Sequence, residues 1–172
     1  LFAPQLVVSA PPSKSYLHRE IIVAMLSGQK FVLDEGEASE DIIATYEATK
    51  TISKYINSTT FGSHDYNASS VSEKLSLDCK ESGSTLRFLL PIVAALGIET
   101  EFKLAGRLRE RPMQQLISQL ENHGANIDIG ESGNITISTS DSHITPGAFN
   151  FANPESSQYI SGLLFALPLL NG

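Results

Sequence analysis

The sequence predicts an α/β fold of the α+β type, built from repeated βαβαββ units. Three observations support this prediction. A polar turn followed by an apolar helical run occurs three times, at residues 12–15, 81–85 and 155–158. The spacing is nearly constant, since Ser15 and Ser84 are 69 residues apart and Ser84 and Ser157 are 73 apart. A second helical pattern recurs in the same register, so each unit reads strand, helix, strand, helix, strand, strand.

Each polar turn is preceded by a strand-like stretch and followed by an apolar run. The strand-like stretches are Leu6 to Ser9, Leu75 to Cys79 and Phe149 to Ala152. The apolar runs are Ile21 to Leu26, Phe88 to Leu96 and Leu163 to Leu170. A helix that starts after such a turn directs its free backbone N–H groups and the positive end of its dipole beyond the turn. Each turn is therefore a candidate anion-binding site.

The second helix of the unit is predicted at Glu40 to Lys54 and again at Pro112 to His123, where apolar residues recur at helical spacing. Proline is favoured at the first position of a helix, so Pro112 predicts that Arg111 lies at or next to the N-cap. The units then cover about residues 12–74, 75–147 and 148–172. Because the third ends after its first helix, we expect the chain to be part of a longer protein.

Composition excludes several classes of protein. The 172 residues are 41% hydrophobic and contain no apolar run near the roughly 20 residues of a membrane helix. With no signal-peptide pattern either, we expect a cytoplasmic globular protein. A net charge of −7 argues against nucleic acid as a partner. The lone cysteine, Cys79, predicts a buried thiol, and the four histidines lack metal-ligand spacing.

Positive charge is nevertheless concentrated at the predicted turns. The cations in or just inside the turns are Lys14, Arg19 and Arg87, and a second group precedes Pro112, namely Arg107, Arg109 and Arg111. The helix dipole favours carboxylates rather than cations at a helix start, so an anionic ligand is expected to offset them. Arginine can bind a carboxylate or a phosphate through two parallel hydrogen bonds. These residues predict a site for a small dianion or trianion.

Each feature also has a simpler interpretation. The serines are common N-caps, Gly83 could serve a tight turn with an unusual backbone angle, and the arginine group could pair with Glu110 in a charged loop. The recurrence of all three turns at one register favours a shared site, because equivalent turns of repeated units tend to lie at one end of an assembly.

Four motifs together resemble the 3-phosphoshikimate 1-carboxyvinyltransferase (EPSP synthase) family, in order and in spacing. They are Pro12 to Arg19, Ser82 to Arg87, Arg109 to Met113 and Ser156 to Gln158. The resemblance implies the enolpyruvyl transferase fold, an inside-out α/β barrel of two domains with three units each. It assigns residues 12–172 to most of one domain, which is incomplete, and residues 1–11 to a strand lent to the opposite domain.

The resemblance also implies an activity, which is transfer of the enolpyruvyl group of phosphoenolpyruvate to the 5-hydroxyl of shikimate 3-phosphate. No cofactor or metal is implied, and phosphoenolpyruvate mimics such as glyphosate would bind the same site. The acid and base of the reaction are expected in the other half of the family chain, so no catalytic residue is expected here. The complete enzyme is expected to be a monomer that binds neither nucleic acid nor membrane, whereas the fragment could self-associate and would be inactive alone.

Eight substrate-binding positions follow from the resemblance. Those that match residues holding shikimate 3-phosphate are Ser15, Arg19, Ser156 and Ser157. Those that match phosphoenolpyruvate-binding positions are Gly83 and Arg111. Lys14 resembles the lysine that touches both substrates, and Gln158 a residue at the junction of the two. Arg87 is expected to be structural.

Two alternatives remain at the level of sequence. The sister family that attaches enolpyruvyl to UDP-N-acetylglucosamine shares the fold, but it typically has Lys-Asn in the first motif and a reactive cysteine near the arginine motif. This chain has Lys14-Ser15 and no cysteine between residues 80 and 172. The other alternative is a non-catalytic paralogue that binds a phosphorylated metabolite.

Overall fold

The structure is a computed structural model that describes residues 12–34, 36, 38–60, 74–139 and 143–170. The helices are α1 Lys14–Leu26, α2 Glu40–Thr60, α3 Gly83–Leu96, α4 Gln114–Asn122 and α5 Ser157–Ala166. The strands are β1 Leu75–Lys80, β2 Thr100–Leu104, β3 Ala125–Ile129 and β4 Ile135–Thr139. Short 3-10 turns occupy Gly106–Glu110 and Leu167–Leu169. Within these ranges no helix is both long enough and apolar enough to span a bilayer.

The second unit confirms the predicted order of elements. Residues 75–139 run β1, α3, β2, α4, β3, β4 and form one sheet in the order β1-β2-β4-β3. The β1–β2 pair is parallel with α3 as its crossover, and the other two pairs are antiparallel. In the first unit α1 and α2 are present, and residues 29–34 between them form no strand. The division of the chain at residues 74 and 147 stays a prediction.

Two local predictions are wrong. Phe149 to Ala152 form no strand, because the backbone N–H of Asn150 donates to Gln119 Oε1 (2.8 Å) rather than to a neighbouring strand. Arg111 is neither at nor next to the N-cap of α4, which is Met113, since the bond from Ile117 N–H to Met113 O starts that helix. The predicted strand at residues 6–9 and the strand assigned to residues 1–11 lie outside the described residues.

Helix α3 lies at the centre of the core. Nearly all of its residues are buried, so it is apolar on every side, as expected for a helix enclosed by other elements. It packs closely on α5 at Gly162, where a Cβ would collide with the carbonyl oxygen of Arg87 and lie 2.9 Å from Pro91 Cγ. The two helices can approach this closely only because position 162 has no side chain.

A chain of buried hydrogen bonds joins the N-terminal parts of α1, α2 and α3. His18 Nδ1 and Thr45 Oγ1 are 2.7 Å apart, and Thr45 Oγ1 and Thr85 Oγ1 are also 2.7 Å apart. Thr85 Oγ1 then donates to Ser82 Oγ (2.7 Å), the N-cap of α3. If His18 carries its proton on Nδ1, then His18 donates to Thr45, Thr45 donates to Thr85 and Thr85 donates to Ser82, so each of these protons makes one hydrogen bond. The three helices are thereby held in register at their starts.

We predict that Gly162→Ala destabilises the protein by roughly 1 to 3 kcal/mol. The new methyl group would meet backbone on α3, which cannot move without separating the two helices, and this outweighs the helix propensity of alanine. Urea unfolding followed by circular dichroism measures the effect. The matched control is Gly130→Ala, whose Cβ would have its nearest neighbours at 3.9 Å. Equal stabilities for the two variants would contradict the close packing.

We also predict that acid weakens the fold through His18. The pKa of His18 is lowered from 6.5 to about 4, chiefly by burial; Asp41 opposes this shift, and Lys14 and Arg19 add to it. The unfolded chain therefore binds this proton more readily. The stability is complete above about pH 6.5 and falls by about 3 kcal/mol as the pH drops toward 4.

The comparison with His18→Asn isolates this contribution, since asparagine keeps an N–H donor for Thr45 but does not titrate. Urea unfolding at pH 7 and near pH 4 should show a larger acid-induced loss in the unsubstituted protein than in the variant. The same loss in both proteins would mean that His18 is not buried in its neutral form.

Candidate anion-binding site

Four helices begin at the same end of the molecule. Residues near the starts of the helices contact one another across all four: Lys14 with Asp41, Thr45 with Thr85, Arg19 with Ser161, and Ser84 with Gln158. Helices α1, α2, α3 and α5 therefore direct the positive ends of their dipoles toward one region. This arrangement brings the three polar turns of the sequence together.

At the start of α1, two cations are held by different partners. Lys14 Nζ forms an ion pair with Asp41 Oδ2 at the start of α2. The Arg19 guanidinium donates to the Ser15 carbonyl oxygen (2.8 Å), to Ser15 Oγ (2.7 Å) and to Ser161 Oγ on α5 (3.2 Å), and it lies over the Phe88 ring. Ser13 is the N-cap but its side chain makes no capping bond, so the first N–H groups of α1 are not capped by it.

Two arginines converge on Gly83, the first residue of α3. A Cβ at this position would lie 2.9 Å from an Nη atom of Arg87 and 3.0 Å from an Nη atom of Arg111. Gly83 does not have a positive φ, so the interpretation of an unusual backbone angle is wrong and space is the reason for glycine. Arg111 thus contacts the start of α3 rather than that of α4.

The side chains of Arg87 and Gln158 connect α3 to α5. Arg87 is buried, and its Nη1 donates to Gln158 Oε1 (3.1 Å). Gln158 Nε2 donates to Ser84 Oγ (2.7 Å), so one amide bridges both helix starts. Arg87 Nε has no hydrogen-bond partner among the described residues. This buried cation is neutralised by no carboxylate that the structure describes.

The start of α5 exposes one serine and uses another as a cap. Ser156 is the N-cap and accepts from the backbone N–H of Gln158 (3.2 Å), as the simpler interpretation expects. Ser157 follows it and is exposed. Tyr159 donates its hydroxyl to Pro112 O (2.6 Å), which fastens α5 to the segment beside Arg111. Burial raises the pKa of Tyr159, so the hydroxyl stays protonated and can donate.

The arginines at this end lack acidic partners among the described side chains, although the first turn of α2 contains Glu40 and Asp41. The first turns of α1, α3 and α5 contain no acidic residue, and no described arginine forms an ion pair, so pairing of the arginine group with Glu110 is not observed. Asp41 is already paired with Lys14, and the carboxylate of Glu81 lies against Gly106. With helix dipoles and arginines of the same sign, the region can bind an anion through backbone N–H groups and guanidinium groups.

Other candidate centres do not add to this site. Cys79 is fully buried, as predicted, and burial raises the pKa of its thiol, so it is not a nucleophile at neutral pH. Across the described ranges no three His, Cys, Asp or Glu side chains cluster as metal ligands would.

Sequence reasoning missed three contributors. Asp41 pairs with Lys14, Ser161 binds Arg19, and Thr45 links the helix starts. Ser161 could have been found, because it lies four residues after Ser157 and therefore on the same face of α5. Asp41 and Thr45 could not, because an acidic first turn and a buried threonine are common in any helix.

The comparisons with known proteins are consistent along the whole chain. The sequence model of the family described as EPSP synthase (3-phosphoshikimate 1-carboxyvinyltransferase) matches residues 5–172. A 3-phosphoshikimate 1-carboxyvinyltransferase of Clostridium kluyveri is 38% identical over 169 residues, which are 96% of this chain and 38% of the relative. One from Clostridium novyi is 38% identical over 178 residues, covering 96% of this chain and 40% of the relative.

A solved structure shows the same fold. EPSP synthase from Acinetobacter baumannii superimposes with a TM-score of 0.61 at 21% identity, covering 92% of this chain and 37% of that one. The chain thus spans about two fifths of the length of the relatives it matches. Since the sequence model of the family covers nearly the entire chain, the chain belongs to the EPSP synthase (3-phosphoshikimate 1-carboxyvinyltransferase) family.

Proposed function

We propose that the protein to which this chain belongs transfers the enolpyruvyl group of phosphoenolpyruvate to the 5-hydroxyl of shikimate 3-phosphate. The products are EPSP and inorganic phosphate, on the route to aromatic amino acids. The observation that carries the proposal is the convergence of four helix starts with Lys14, Arg19, Arg87 and Arg111. Two highly charged substrates repel each other, and fixed positive groups offset that repulsion before the reaction begins.

We assign shikimate 3-phosphate to the starts of α1 and α5. Ser156 and Ser157 would hold its phosphate through hydroxyl and backbone N–H groups at the positive end of α5. Ser15 and Arg19 would complete this part, because Arg19 already links the starts of the two helices. Binding of the anion would compete with Ser15 and Ser161 for the Arg19 donors.

We assign phosphoenolpyruvate to the start of α3. The absence of a side chain at Gly83 lets the guanidinium groups of Arg87 and Arg111 approach the start of α3, and Arg111 is exposed, so a ligand there would meet both. Gln158 would lie between the two ligands, since its amide already touches α3 from α5. Lys14 would contact both substrates, with Asp41 holding its ammonium group in place until they arrive.

The reaction needs an acid to protonate the methylene group, a base to remove the hydroxyl proton, and expulsion of phosphate from a tetrahedral intermediate. We place that acid and base in the part of the family chain that the 172 residues do not include, and we infer no cofactor. This chain would supply binding and orientation and would be inactive alone.

The broader setting follows from the same proposal. Both substrates are small phosphorylated metabolites, which suits a monomeric cytoplasmic enzyme without nucleic-acid or membrane partners, and glyphosate would compete for the phosphoenolpyruvate position. The chain by itself would self-associate, because Ile160 and Leu164 on α5 are 45% and 67% exposed and line an apolar groove with Phe149 and Phe151.

A second candidate function is that of a binding module. Such a module would bind a phosphorylated metabolite without turnover. Phosphate release with both substrates, assayed on the longest natural reading frame that contains this chain, separates the two functions.

We predict that this chain binds shikimate 3-phosphate saturably. Arg19 contacts Ser15 and Ser161, and Ser156 caps α5, so amide chemical shifts should move first at Ser15, Arg19, Ser156 and Ser157. A titration followed by heteronuclear NMR can detect even weak binding. A folded sample whose shifts do not change would overturn the assignment of a preformed site to this chain.

We predict opposite ligand preferences for two variants. Arg111→Ala should weaken phosphoenolpyruvate binding by about 1.5 to 3 kcal/mol, the range for hydrogen bonds to charged groups. Ser157→Ala should mainly weaken shikimate 3-phosphate binding by about 0.5 to 1.5 kcal/mol. Calorimetric titration of each ligand in the complete enzyme measures both effects. An equal loss for both ligands in either variant would indicate damage to the fold.

A further inference from the structure

One face of α4 holds the segment that leads from β4 to α5. Gln115, Gln119 and His123 follow one another at intervals of four residues, which places them on the same side of the helix. The backbone N–H of Glu155 donates to Gln115 Oε1 (3.3 Å), and that of Asn150 donates to Gln119 Oε1 (2.8 Å). This segment ends at Ser156, the N-cap of α5, so its attachment sets where α5 begins.

The third member, His123, contacts the segment with both ring nitrogens. Nδ1 lies 2.9 Å from the carbonyl oxygen of Thr145, and Nε2 lies 3.3 Å from the carbonyl oxygen of Ala148. A carbonyl oxygen can only accept a hydrogen bond, so both nitrogens must donate. Neutral imidazole has one N–H, and only the imidazolium has two. Both contacts are therefore complete only when the His123 ring is positively charged.

Three independent observations show that the segment is fitted to this ring. The Phe149 ring stacks on it with 3.8 Å between ring centres and 14° between planes. At Gly147 a Cβ would lie 2.8 Å from His123 Cε1, so a side chain at this position would displace the ring. Thr145 returns two hydrogen bonds to the His123 carbonyl oxygen, from its N–H (2.8 Å) and from its hydroxyl (3.2 Å).

His123 is the C-cap of α4, an end of a helix at which the dipole is negative. Glu121 lies in the last turn of α4, and His143 lies two residues before Thr145 in the attached segment.

We propose that His123 is a proton-dependent positioning residue for the anion-binding start of α5. With two protons its ring clasps residues 145–148 against α4, and with one proton it releases one of the two carbonyl groups. The clasp fixes the segment that delivers Ser156, Ser157 and Gln158. The placement of α5 is therefore tighter with the doubly protonated ring than with the neutral ring. Its relevance to shikimate 3-phosphate rests on the proposed function, whereas the clasp itself does not.

The test uses NMR on this chain between about pH 5 and 8. At low pH we expect both His123 ring nitrogens to be protonated. The protection of the Thr145 amide against hydrogen exchange, corrected for the intrinsic pH dependence, should be roughly tenfold greater at low pH than at high pH. The amide shifts of Ser157 and Gln158 should follow the same titration curve. A neutral His123 ring at pH 5, or a Thr145 protection that does not change, would overturn the proposal.

Variants separate the clasp from a merely structural role. His123→Gln keeps N–H donors but cannot titrate, so the pH response at Thr145, Ser157 and Gln158 should disappear in a folded protein. His123→Phe keeps the stacking on Phe149 and loses both donors, so its Thr145 protection should be low at every pH. The control is His143→Gln, which should retain the response. A response that persists in His123→Gln or disappears in His143→Gln would refute the assignment to His123.

Addition of shikimate 3-phosphate at the two ends of the pH range links the clasp to the proposed function. For each protein, the affinity for shikimate 3-phosphate at low pH is divided by the affinity at high pH. This ratio should be several-fold larger in the unsubstituted chain than in His123→Gln. Because the ligand ionises equally in both experiments, its own ionisation cancels in the comparison. Absence of binding at every pH would count against the proposed function, while the ring and amide measurements would still decide the clasp.

Discussion

The rest of the structure depends on one constraint, which is the repulsion between the positive helix ends and the arginines gathered at one end of the molecule. Helices α1, α2, α3 and α5 bring the positive ends of their dipoles together there, and the arginines that join them have no acidic partner among the described residues. Such a region is unfavourable in the absence of a ligand. The neutral contacts around it, from the buried hydroxyl groups to the Gln158 amide, hold the helix starts in place without cancelling their charge.

The core provides the rigidity that this arrangement needs. Because α3 is enclosed on every side and contacts α5 across Gly162, the two helix starts cannot separate without exposing apolar surface. The sheet formed by the second unit supports α3 through contacts with β1 and β4. A site assembled in this way has little reorganisation to undergo when an anion binds, and this is the condition under which fixed dipoles stabilise charge most effectively.

The predictions from sequence succeeded where the signal was local and failed where it was not. The βαβαββ order of residues 75–139 follows from alternating and helical patterns, and the α5 start follows from a serine cap. The strand expected at Phe149 to Ala152 failed because its aromatic residues serve contacts with α4 and α5 rather than a sheet. The prediction for Arg111 was wrong because its side chain extends from the segment before α4 across the fold to Gly83, which is 28 positions earlier in the chain. No pattern within a window of sequence encodes such a contact.

The buried chain from His18 to Ser82 has one further consequence. Each hydroxyl group has a single proton, so the tautomer of His18 decides whether Thr45 must donate to it. With the proton on Nδ1, every bond can point toward α3, which leaves the hydroxyl proton of Ser82 available at the start of that helix. With the proton on Nε2, Thr45 donates to His18, and the Ser82 hydroxyl can donate toward Thr85 instead. The Asp41 carbonyl oxygen is a second acceptor for both threonines, so a histidine on α1 and a carbonyl group on α2 together influence the hydrogen-bonding polarity at the start of α3.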